Sequence, residues 1–148
     1  MKKLTTIAAA IAMFFSSAAF AAGFDPVSTE VSTAFLKKFS NAENVTWKKS
    51  GALYFANFQM EKNSFFAAFN DQAELVAISR TISISQVPLQ LSQTLADNYK
   101  DYTVSNSVTE IVLEGVTAYY LTIENKSRVL SLKATASGDI EVLSKTKK

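Results

Sequence analysis

The chain contains no cysteine and no histidine. Lack of cysteine excludes disulfides, thiol redox chemistry and thiolate metal sites. Lack of histidine removes Ser-His-Asp and Cys-His mechanisms and the usual zinc centres. Only four glycines and two prolines are present, and neither GxGxxG nor GxxxxGK[ST] occurs, so the common phosphate-cradling loops are missing. Carboxylates are the remaining route to acid–base chemistry. Glu110, Glu114 and Glu124 read as ordinary charges on a solvated sheet face. Asp97 and Asp101 stand four apart near a helix C-terminus, where acid is mildly unfavourable. Asp71 with Glu74, and Asp139 with Glu141, are too sparse for a calcium loop. The chain therefore reads as a non-enzyme, with no catalytic, metal-binding or cofactor-binding residue and no cofactor.

An excess of one charge is also missing. Lys2 and Lys3 open the chain, an apolar stretch runs from Ile7 to Phe15, and Ala19-Phe20-Ala21 has small residues at the two positions a signal peptidase reads. A membrane span needs about 20 apolar residues, and this run is shorter. The pattern predicts a cleaved secretory signal over residues 1–21 and a mature chain from Ala22. Of 15 basic and 13 acidic residues, cleavage removes two lysines and leaves a formal net charge of zero. Broad attraction to nucleic acid or anionic lipid is not expected, nor is membrane insertion after cleavage. The expected location is the bacterial periplasm or the exterior.

The remaining residues suit one domain, 22–148, since 48% of the 148-residue chain is hydrophobic. Asp25-Pro26 reads as a helix start. Val27, Val31, Phe35 and Phe39 then make one stripe, and the helix should stop near Ser40-Asn41. From Asn44 the period becomes two. Four strands follow, around Val45 to Lys48, Tyr54 to Met60, Phe65 to Phe69 and Leu75 to Ser79, with turns at Ser50-Gly51, Glu61 to Asn63 and Asp71 to Ala73. Pro88 opens a second helical stretch, with Val87, Leu91, Leu95 and Tyr99 four apart. Strands are then expected over Tyr102 to Leu113, Val116 to Glu124, Ser127 to Thr135 and Asp139 to Ser144, and the basic tail beyond should be solvated.

A constant offset of 65 places Tyr54 on Tyr119, Phe58 on Ile123, Phe65 on Leu130, Ala67 on Leu132 and Leu75 on Ile140. The helices need a smaller offset, so the first-strand region of the second half is a few residues longer. The fold expected is α+β: a tandem repeat of a helix plus a four-stranded antiparallel meander, at about 26–80 and 87–145, forming one continuous sheet with helices on one face.

The offset also sorts the faces of the strands. Tyr54, Ala56, Phe58, Phe65, Ala67 and Phe69 match apolar residues in the second half and should face the helices. The other parity is mixed and should meet water or a partner. There the first half shows Phe55, Asn57, Gln59 and Phe66, and the second shows Tyr120, Thr122, Glu124, Ser131 and Lys133. Phe55 and Phe66 are expected to be exposed. Phe55, Asn57, Gln59, Phe66, Tyr120 and Lys133 are the candidate partner-binding residues. Trp47, the single tryptophan, reads as a core residue closing the sheet, with a contact anchor as the other reading.

Three stretches resemble the PepSY-like proteins of bacterial envelopes, whose architecture is related to that of the β-lactamase inhibitor protein. They are "FLKKFSNAENVTWKKSGALYFANF", "ISISQVPLQLSQTLADNYKDYTV" and "EGVTAYYLTI", and the likeness spans roughly Phe35 to Val142. It departs at Asn70-Asp71-Gln72-Ala73, where that family commonly has an Asp-x-x-Gly-like turn. The resemblance implies a small secreted protein without cofactors that binds other proteins. The expected function is a non-enzymatic, inhibitor-like binding module that presents the open face of its sheet to an envelope protein or peptide. The rival expectation is a carrier or sensor of a small apolar ligand held between sheet and helices.

Overall fold

A computed structural model describes residues 26–148. The expected signal peptide and the Asp25 helix start lie outside those residues. The elements are helix α1 (Thr29–Lys38), strands β1 (Glu43–Ser50), β2 (Leu53–Met60), β3 (Asn63–Asn70) and β4 (Leu75–Ser83), a short 3₁₀ turn (Ile84–Gln86), helix α2 (Leu89–Asn98), and strands β5 (Thr103–Val104), β6 (Ser107–Leu113), β7 (Val116–Glu124), β8 (Arg128–Ala134) and β9 (Ile140–Lys147). The strands form one nine-stranded sheet in the order β1-β2-β3-β4-β6-β7-β8-β9, with β5 paired to β7 off this path. By contact the chain divides into two units, one ending at Ile78 and the other starting at Ser79.

In the first unit the N-cap is Ser28, whose Oγ accepts from the Val31 N–H at 3.3 Å. It supplies one of the acceptors that the first turn of a helix needs. Glu30 in the first turn and Lys37 and Lys38 in the last suit the helix dipole. Val31, Phe35 and Phe39 bury the stripe against Tyr54, Ala56, Phe58, Ala67 and Phe69. Phe35 is the hub. Its ring centre lies 5.0 Å from Phe58, 5.1 Å from Trp47 and 5.2 Å from Phe39. Such tilted and edge-on pairs add about 0.5–1.5 kcal/mol each beyond area burial. Trp47 is thus a core-facing residue.

In the second unit a capping box closes the 3₁₀ turn, with Ser83 N–H donating to Gln86 Oε1 at 2.8 Å. Pro88 is the N-cap of α2. Leu91 and Leu95 pack on Tyr119, Leu121, Ile123, Leu130, Leu132 and Ala134. The pairing registers of the two units differ by a constant 65: Tyr54 faces Phe69 where Tyr119 faces Ala134, and Phe58 faces Phe65 where Ile123 faces Leu130. The turns agree too. Asn70 N–H bonds Glu74 O at 3.0 Å, and Thr135 N–H bonds Asp139 O at 3.0 Å.

The expected α+β architecture, a helix plus four-stranded meander repeated twice, is nevertheless overturned. The described chain is mostly sheet, nine strands with two ten-residue helices, and the second unit is not a copy of the first. The single strand expected over Tyr102 to Leu113 breaks at Ser105-Asn106. Val104 pairs with Ile123 and Thr109 with Tyr120, so four residues on one side oppose two on the other. Ser105 N–H still reaches Thr122 O, while Asn106 finds other partners. Asn106 O accepts from Ile84 N–H at 2.9 Å, and Asn106 Oδ1 from the Ser83 hydroxyl at 3.2 Å. The basic tail is exposed, as expected, but belongs to a strand. Strand β9 continues to Lys147, and Lys148 Nζ lies 2.9 Å from Glu124 Oε2.

Candidate functional site

Strand alternation puts Phe55, Asn57 and Gln59 of β2 opposite to the α1 side. Across the ladder Phe55 faces Ala68, Asn57 faces Phe66 and Gln59 faces Ser64. On the other flank Lys48 pairs with Phe55 and Thr46 with Asn57. The four first-unit candidates therefore share one face. Their exposure differs from expectation. Phe55 retains only 3% of its surface, as does Ala68 beside it. Phe66 and Asn57 are half-buried, and Gln59 is exposed. Tyr54-Phe55-Ala56 and Ala67-Ala68-Phe69 are buried in unbroken runs, so both sides of these strands are enclosed there. Asn44 Nδ2 donates to Gln59 Oε1 at 2.9 Å and fixes that amide. The Thr46 hydroxyl is buried and makes no hydrogen bond among the described residues.

In the second unit Tyr120 faces Lys133 directly, with Thr109 on the other side of Tyr120 and Glu141 next to Lys133. Tyr120 and Lys133 are both half-buried. Burial here alternates cleanly along β7 and β8: Tyr119, Leu121, Ile123, Leu130, Leu132 and Ala134 are buried, and the residues between them are not. This is an antiparallel ladder with one wet face.

One group escaped the sequence reading. On the helix-facing side of the second unit, Arg80 Nε donates to Glu110 Oε2 at 2.6 Å, and Glu110 sits directly across from Tyr119. Burial holds the Tyr119 phenol above its ordinary pKa, and the neighbouring Glu110 charge, as acceptor for the phenol O–H, acts in the same direction. Glu110 had read as an ordinary surface charge. The available signal was parity: Arg80 shares its face with Ile82, a core residue, so a charge there needs a partner.

An open cleft of about 400 Å³ lies at the end of α2, lined by Ile84, Leu95, Tyr99, Tyr102 and Val104 among others. Tyr99 and Tyr102 meet edge-on there at 5.9 Å. The first-unit core is filled instead, with Phe58 and Phe69 fully buried. Among the described residues no cluster of three acidic side chains could hold a metal ion, and no helix is long and apolar enough to cross a membrane.

No family model and no curated protein matches the sequence. Solved structures do match its fold. One is a DUF2874 family protein from Bacteroides uniformis, with TM-score 0.69 and 19% identity over 82% of this chain and 90% of that one. A BLIP-like protein from Bacteroides fragilis aligns with TM-score 0.66 and 21% identity over 84% and 89%. A candidate periplasmic protein from Bacteroides eggerthii aligns with TM-score 0.68 and 22% identity over 84% and 90%. The chain is thus similar in fold to BLIP-like proteins.

Proposed function

We propose that the protein is a non-enzymatic module of the bacterial periplasm that binds another protein or a peptide through the sheet face turned away from α1. The observation that carries this reading is the half-buried Phe66 beside half-buried Asn57 and exposed Gln59 on that face. The matching strands in the second unit, β7 and β8, are apolar on one side only. Phe55 and Ala68 form the floor of this face, and Asn57, Gln59 and Phe66 are its accessible contacts. Such a ring beside amide side chains is the mixture found in protein contact surfaces. Tyr120 beside Lys133 is a separate contact row in the second unit. Support for the class comes from the fold likeness to a BLIP-like protein, and for the compartment from the candidate periplasmic neighbour and the 1–21 signal pattern. The PepSY-like affiliation rests on the three sequence stretches.

A photocrosslinking phenylalanine analogue at position 66 tests the surface in periplasmic extract of the host. The expected result is one dominant protein adduct that is absent when the analogue replaces Leu36, an exposed residue of α1. Equal adducts from both positions, or none from position 66, would reject the assignment. The carrier reading has one observation in its favour, the cleft at the end of α2. Native mass spectrometry of protein purified from its host would show a retained small molecule in that case.

A further inference from the structure

We propose that the outward edge of β5, together with the cleft at the end of α2, receives an extended segment of a partner protein by strand addition. The site lies within the second unit and does not depend on the face assigned to the first. Strand β4 ends at Ser83, and Ile84 N–H of the following 3₁₀ turn donates to Asn106 O at 2.9 Å. Beyond that point β5 is paired on one side only, to β7. Thr103 faces Glu124 and Val104 faces Ile123. Ser105 N–H donates to Thr122 O at 2.9 Å, which makes Val104 and Ile123 a non-hydrogen-bonded pair. The N–H and C=O of Val104 therefore point away from β7. Among the described residues no hydrogen bond reaches either group, although Val104 is half-buried.

A free N–H and C=O on one strand residue is what strand addition uses: an incoming antiparallel residue exchanges both bonds with it. The side chain of that residue falls on the same side of the sheet as Val104, which packs with Tyr99 and Tyr102 against the second core. The cleft of about 400 Å³ stands there, lined by Ile84, Leu95, Ala96, Tyr99, Tyr102 and Val104 among others, with room for a large apolar side chain. The next residues of the segment point the other way. On that side lies a hollow of about 260 Å³, lined by the hydroxyl residues Thr103, Ser105 and Thr122 and by Glu124, which suits polar side chains. The site thus alternates as an extended chain does. A small apolar molecule in the cleft would displace water and leave the Val104 groups unmet, which is unfavourable. Thr103, Val104 and Ser105 also lack the charges and prolines that shield an edge.

Amide NMR of the mature protein tests this with a capped heptapeptide of alternating threonine and leucine, and with the same peptide N-methylated at its leucines. As the plain peptide saturates, the Val104 amide should shift downfield and exchange with solvent about tenfold or more slowly. Thr103, already paired with Glu124, should change little. The N-methylated peptide should bind about tenfold or more weakly, having lost its donor to Val104 O. Val104→Pro removes the outward N–H and no donor of the β7 ladder, so it should stay folded and lose the peptide. Ala96→Phe, at an exposed position of α2 on the cleft, leaves the backbone edge intact and should also block binding. Equal affinity for the two peptides would overturn the proposal and mark a site for small apolar molecules. Binding that leaves Val104 exchange unchanged, or no binding at millimolar peptide, would overturn it as well.

Discussion

Gly138 lies against Thr94 so closely that a Cβ on the glycine would meet Thr94 Oγ1 at 2.5 Å and Gln90 O at 3.2 Å. Its φ is +91°, where a side chain is strained. The residue 65 positions earlier is Ala73, which holds φ +60° with a side chain in place. The same turn thus has opposite tolerances in the two units. Gly138→Ala should destabilise by about 1–3 kcal/mol through backbone strain alone, with the contact to α2 adding to it. Ala73→Gly should stabilise by up to about 1 kcal/mol, because the left-handed region costs an L-residue about that much. Urea melts of the two variants check the signs.

Phe58 and Ile123 occupy equivalent core positions, and both are fully buried. Phe58→Ala should cost about 3–5 kcal/mol and Ile123→Ala about 2–5. We propose that residues 22–148 melt as one domain. Each unit has one short helix and a few strands, too little to bury a core well alone, and the boundary between Ile78 and Ser79 falls inside strand β4. Calorimetry should show a single transition lowered by either change. Two separated transitions, each answering to one variant only, would argue for independent units.

Tyr119 has its pKa raised in the folded state. Above the unfolded value of about 10, the folded chain therefore keeps a proton that the unfolded chain releases. This contribution to stability is fully present below that value and is lost as pH rises through the folded pKa. Asp139 behaves in the opposite sense. Hydrogen bonds from Ser137 and Thr135 lower its pKa, so its contribution is present above the unfolded value of about 3.9 and lost as pH falls through the folded one. Melting temperature against pH should decline at both ends. Tyr119→Phe should flatten the alkaline limb and Ser137→Ala the acid limb, each leaving the other unchanged.

Strands β1 and β9 end the sheet order, and both have irregular registers, between Glu43 and Thr46 in β1 and opposite Ser131-Leu132 in β9. Lys145 and Lys147 lie on β9 close to the exposed Val142 and Leu143. Bulges and lysines are common protections against edge-to-edge pairing. Lys145→Val with Lys147→Val should make the protein self-associate, visible as concentration-dependent growth in light scattering.

Much of the strand plan could be read from local pattern. Alternation along Tyr54 to Met60 and Val116 to Glu124 identified the faces, because side chains in a strand must point to opposite sides. The offset of 65 matched positions and no pairing, yet Tyr54 with Phe69 and Tyr119 with Ala134, like Phe58 with Phe65 and Ile123 with Leu130, keep it in their registers. Ser28 was missed as the N-cap because Asp25-Pro26 is the stronger local signal.

The break at Ser105-Asn106 was not legible, because Asn106 turns to hydrogen bonds with Ile84 and Ser83, some twenty positions earlier, while Ser105 N–H still reaches Thr122 O. Nor was the enclosure of Phe55. Parity placed it away from α1, but parity names a side and not the depth of burial there. Arg80 and Glu110 are thirty residues apart, and only strand pairing brings their side chains to 2.6 Å. The sequence by itself determined the residue chemistry, the lack of cysteine and histidine, and the sidedness of each strand, all properties of single residues or near neighbours. Tertiary structure alone decided which strands lie together, what becomes enclosed and which charges meet, because those depend on contacts between distant segments that no local period encodes.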